Sequence, residues 1–117
     1  MKETLGDKQR RFTKLIGMLI QHAYAQGYEL TVGDAYRDPR VHGDTKHKLS
    51  YSARNSNHKR RLAMDFNLFK DGKYLTKTED YQPLGEYWIS LADDCEWGGE
   101  DGRHDGNHFS LNFNGQW

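Results

Sequence analysis

The chain has one cysteine, Cys95, so no intrachain disulfide can form. Cys95 continues an apolar, helix-compatible stripe, where a thiol acts as a small hydrophobe rather than a nucleophile. Net charge is also missing: 17 Lys and Arg cancel 17 Asp and Glu. That balance removes the global electrostatic case for a nucleic-acid partner or an anionic membrane surface. No apolar run approaches a bilayer span, so stable membrane insertion is not expected. The opening residues, Met1-Lys2-Glu3-Thr4, lead into charged sequence, and no signal peptide is expected. On this reading the chain is made in a cytoplasm and reaches any outside target only if another protein releases it.

What is present suits one folded domain over residues 1–117. Mean hydropathy is −1.02, low enough to suggest disorder. Disorder, however, goes with few aromatics and high net charge, whereas here 13% of residues are aromatic and the charge is zero. A monomer is expected. One local basic run, Lys59-Arg60-Arg61, reads either as a solvated turn or as a patch that steers an anionic substrate.

Phe12, Leu15, Ile16, Leu19, Ile20 and Ala23 recur at helical spacing, and Gly27 is a fitting stop. Tyr28 to Tyr36 begins by alternating and reads as a strand. Residues 37–57 are polar and lack an apolar period, and a loop of that length is often functional. Leu62, Met64, Phe66 and Leu68 share one face of a strand, with Ala63, Asp65, Asn67 and Phe69 on the other. Asp71-Gly72 then signals a hairpin. Pro83 suits the first turn of a second helix, whose stripe Leu84, Tyr87, Trp88, Leu91, Ala92 and Cys95 ends at Gly98-Gly99. His108 to Phe113 alternates as a last strand, with Phe109, Leu111 and Phe113 inward. The expected class is α+β, a small antiparallel sheet packed with helices.

Two segments carry possible chemistry: His58 with Asp65, and Asp105 with His108. An acid on a strand between apolar residues needs water, a cation or a hydrogen-bond partner. Two histidines and one carboxylate match the donor count of a catalytic zinc site, which keeps a fourth position for water. A further carboxylate would serve as proton acceptor and donor. Taken singly, Asp65 also reads as an edge-strand surface residue and His108 as a hydrogen-bonded core histidine.

The pattern Ser56-x-His58-x6-Asp65, with Ala63 two before the Asp, resembles the first motif of zinc D-Ala-D-Ala carboxypeptidases and L-alanyl-D-glutamate endopeptidases. Asp105-x-x-His108-Phe109 resembles their second motif, Trp97-Gly98-Gly99 their W-G-G, and Ala35-Tyr36-Arg37 their G-Y-R element. The resemblance implies a fold shared with the hedgehog signalling domain. It also implies Zn2+ held by His58, Asp65 and His108, with Asp105 as general base. Arg37 would meet a substrate carboxylate, for which its planar fork is suited. Ser56 would bind substrate or brace the His58 loop. Arg61 stands where the motif has glycine, Ala35 where the G-Y-R element does, and Ser110 where Glu is frequent. The implied substrate is the peptidoglycan stem peptide, cut at L-Ala–D-Glu. Small size and no expected signal peptide point to a phage endolysin, acting on the wall after release through a membrane pore made by another protein.

Alternatives are D-Ala-D-Ala carboxypeptidase activity and a non-catalytic zinc-containing binding module, which would have no need of Asp105. The run His104-Asp105-Gly106-Asn107-His108 also suggests an HNH nuclease, but that family places its last histidine on a helix. His42, His47 and His104 fall in loops near the expected site, where His104 would either assist Asp105 or be a plain solvent-facing side chain. His22 reads as structural.

Overall fold

In the computed structural model, residues 3–33 and 60–115 are described. Helix α1 spans Leu5–Ala25. Thr4 and Asp7 start it as a capping box, each side chain bonded to the other's backbone N–H at 3.1 Å. Phe12, Leu15, Ile16, Leu19 and Ala23 form its buried stripe. Strand β1 is Tyr28–Val32; the expected continuation from Asp34 to Tyr36 lies outside the described residues.

Strand β2, Ala63–Lys70, is the spine of the sheet. On one edge β1 runs antiparallel to it, from Tyr28↔Lys70 to Val32↔Phe66. On the other edge, β3 (Lys73–Leu75) pairs with the last residues of β2 and β5 (His108–Leu111) with the first. Strand β4, Cys95–Trp97, adds to β5. The β2–β3 turn places Asp71 and Gly72 at φ 53° and 76°, the two positive values that a tight two-residue hairpin requires.

Helix α2, Gln82–Leu91, follows a 3-10 turn at Thr78–Tyr81 and packs with α1 on one face of the sheet. Trp88 ties the layers together. It meets Phe12 of α1 edge-on at 5.9 Å and Phe109 of β5 at 6.2 Å, and its Nε1–H donates to Glu96 O and Ser110 O at 3.0 and 3.1 Å. This is the expected α+β arrangement. No helix among the described residues is long and apolar enough to cross a membrane.

Two elements depart from expectation, the last strand in ending at Leu111 rather than Phe113, and the second helix in its length. The second helix does not run to Cys95. It stops at Leu91, Ala92 is extended, and Cys95 opens β4. Asp94 O accepts from Asn112 N at 2.8 Å, which turns the chain onto β5. Cys95 and Trp97 point into the core with Glu96 between them, a period of two hidden in a spacing that also fits a helix.

Candidate active site

Asp65 and His108 are brought together by strand register. The β2–β5 pairing sets Asp65 directly opposite His108, and alternation turns both away from the face that carries Phe66 and Phe109. Asp65 Oδ1 and His108 Nδ1 are 3.1 Å apart, with exposures of 1% and 0%. Asp65 is no edge-strand surface residue, since β2 is paired on both sides of it: Gly33 N donates to its carbonyl at 2.7 Å from the β1 side. A Cβ at Gly33 would lie 3.2 Å from that of Asp65, so glycine keeps the neighbouring position clear. His108 is, as the single-residue reading had it, a buried histidine with a hydrogen-bond partner, and that partner is the Asp65 carboxylate.

These two donors fit zinc in type and spacing. Carboxylate oxygen and imidazole nitrogen are ordinary zinc ligands, and bonds of about 2.0–2.1 Å in tetrahedral array separate two donors by roughly 3.3 Å. Among the described residues no group of three His, Cys, Asp or Glu side chains converges. The third expected ligand, His58, lies outside them.

Asp105 reaches this pair through a turn. His108 N donates to Asp105 O at 3.0 Å, closing a four-residue β-turn with Asp105 first and His108 last. The D-x-x-H spacing is therefore the spacing of one turn. The turn is tied down on several sides: Asp105 N donates to Gly98 O at 3.1 Å, Gly98 N to His108 O at 2.9 Å, and Phe66 N to Asn107 O at 2.9 Å. Gly98 is required for space, since a Cβ there would come under 3.0 Å from the Asp105 backbone.

The comparisons with known proteins bear on this arrangement. A family model described as D-alanyl-D-alanine carboxypeptidase matches residues 50–111, just over half of the chain. The chain belongs to that family. It is thereby a peptidase by descent, and the match takes in both segments singled out in the sequence. No curated protein matches it in sequence. Among solved structures it is similar to the Serratia marcescens L-Ala D-Glu endopeptidase ChiX, with a TM-score of 0.66 and 20% identity over 89% of this chain and 80% of that one. At that identity the likeness concerns the fold.

Family membership gives the departures from its motif a physical reading. Arg61 stands where the motif has glycine, and its φ is 59°. That left-handed conformation suits glycine and strains other residues. Arginine here holds a backbone conformation that glycine would adopt freely. Ser110, where Glu is frequent, is fully buried on the His108 face, and its Oγ has no hydrogen-bond partner among the described residues.

Other expected residues sort plainly. Ser56, His58, Arg37, His42 and His47 lie outside the described residues. Arg60 sits over the Phe113 ring at 5.0 Å, and its carbonyl accepts from Gln9 at 2.7 Å, so part of the basic run packs on the fold. Cys95 is buried, and burial pushes its thiol up to about 12, which makes it inert at neutral pH. His104 is exposed. His22 stacks on Tyr87 at 3.8 Å, tying α1 to α2. His108 sits on a strand, not on the helix that an HNH nuclease needs. Two residues that bond the Asp105 turn were not singled out in the sequence: Trp97, noted only as part of W-G-G, and Thr78, which carries no sequence signal.

Proposed function

We propose that the protein is a zinc-dependent peptidoglycan peptidase of endolysin type, hydrolysing the stem peptide at L-Ala–D-Glu. The observation that carries this reading is the buried Asp65–His108 pair, 3.1 Å apart, joined to Asp105 by a single turn. The similar fold of an L-Ala D-Glu endopeptidase supports the choice of bond. The family description favours a second reading, release of terminal D-Ala.

His58, Asp65 and His108 would hold the zinc, which when bound polarises a carbonyl and makes hydroxide available near neutral pH. Asp105 takes the proton of the attacking water on a carboxylate oxygen. It returns that proton to the amine as the carbon–nitrogen bond breaks, leaving one new carboxylate and one new amine. Arg37 clamps a stem carboxylate and so orients the bond, while Ser56 braces the His58 loop or touches substrate. The chain would reach the wall by a route another protein provides.

Mass spectrometry of fragments from purified peptidoglycan tests this directly. The wild type should release stem peptides with a new D-Glu amino terminus. Asp105→Ala should keep its zinc and lose at least about 10²-fold in rate. Loss of terminal D-Ala alone would favour the second reading. Near-full activity in Asp105→Ala would remove the role given to that carboxylate.

A further inference from the structure

Trp97 lies in the core at 2% exposure, yet its indole reaches the turn that carries Asp105. The ring is seated against Gly85 of α2 and Gly99, and a Cβ at either glycine would come within 3.0 Å of it. Nε1–H donates to Gly106 O at 2.7 Å, a buried bond. From another element, Thr78 Oγ1 accepts from Gly106 N at 3.3 Å. A Cβ at Gly106 would stand 2.8 Å from Thr78 Cα, so the close approach requires glycine.

These two bonds act on different peptide planes. The N–H of Gly106 belongs to the plane that also holds the Asp105 carbonyl, already bonded to His108 N. The carbonyl of Gly106 belongs to the next plane. Holding both fixes the dihedrals of Gly106, the residue with the most backbone freedom to lose. We propose that Trp97 and Thr78 are positioning residues, which set Asp105 against His108 by clamping the peptide units on either side of Gly106. The proposal rests on the peptidase reading, in which Asp105 moves the proton. A displacement of about 1 Å in such a group can cost roughly 10²-fold in rate, whereas a residue that only supports the fold would leave the kcat of folded protein unchanged.

The test uses zinc-loaded, full-length protein. Trp97→Phe keeps an aromatic ring and removes the donor. Its kcat should fall about 10- to 100-fold with KM within about twofold and zinc content unchanged. Thr78→Val keeps the shape and removes the acceptor. It should lose about three- to tenfold in kcat, and Thr78→Ser should restore it. Should Trp97→Phe fail to fold, the Thr78 pair decides. A readout independent of activity is amide hydrogen exchange, which should quicken at Asp105 and His108 in Trp97→Phe but not at the buried stripe of α1. Wild-type kcat in both variants, no rescue by serine, or exchange rising equally throughout would overturn the proposal. Asp105→Asn run alongside separates the two claims: full activity there overturns the peptidase role of Asp105, while the exchange data still judge the clamp.

Discussion

A carboxylate with 1% exposure and an imidazole with none bear a desolvation cost that only a close partner or a metal offsets. Asp65 and His108 face each other across two strands, so each answers the other's polarity, and removing either would leave a buried polar group short of a partner. Arg61 is the opposite case, a residue whose side chain is exposed but whose backbone is strained at φ 59°. The left-handed conformation costs a non-glycine residue about 1–2 kcal/mol, part of which glycine loses again through its freer unfolded chain. Arg61→Gly should therefore raise stability by up to about 1 kcal/mol, read as a higher denaturant midpoint with an unchanged slope. A lower midpoint would mean that the arginine side chain contributes more than its backbone costs.

Among the elements, strand register sets the Asp65–His108 pair and the turns around β4 and β5 set Asp105 beside it. Gly98 shows how tightly: its missing Cβ is the space taken by the Asp105 backbone. Gly17, on an exposed part of α1, has nothing within 4 Å of the same position. Identical substitutions should thus have opposite signs. Gly98→Ala should lower stability by about 1–3 kcal/mol through overpacking. Gly17→Ala should raise it by about 0.5–1 kcal/mol through helix propensity. Thermal melts of both variants check the pair, and equal shifts would contradict the packing argument. Sequence legibility divides along the same line. The stripe of α1, the Asp71-Gly72 hairpin and the faces of β2 are local patterns, and each is read directly. Strand β4 is not, because Cys95 at the end of the Leu84–Leu91 series satisfies a helical period while only the β5 edge can select a strand. Thr78 carries no local pattern at all; its role exists only because Gly106, distant in sequence, packs onto it. The burial of Asp65 was equally hidden, since alternation gives its face but not whether that face meets solvent.

At the scale of the whole molecule, one charge cluster joins chain regions far apart in sequence. Arg11 pairs with Glu3 at 2.8 Å and, through two bonds, with Asp94, which Lys8 also meets at 3.1 Å. The hydrogen bonds from Arg11 are the leading cause holding the Asp94 carboxyl down at about 2, from an ordinary 3.8. A carboxylate with a depressed folded pKa stabilises the fold above its unfolded value, and that contribution disappears as pH falls through the folded value. After allowance for solvent screening it amounts to about 1 kcal/mol. Between about pH 5 and about pH 2, the wild type should lose that much more stability than Asp94→Asn in chemical denaturation. Parallel losses would show that the cluster does not anchor α1. The proposed zinc site is also a matter of the whole molecule: it would draw Asp65 of β2, His108 of β5 and His58 into one convergence. Anomalous diffraction at the zinc edge, from crystals of the zinc-loaded protein, tests that convergence. One peak within about 2.0–2.1 Å of an Asp65 carboxylate oxygen and of a His108 ring nitrogen is predicted, with His58 as the third ligand. Stoichiometric zinc bound elsewhere, or no zinc retained by folded protein, would contradict it.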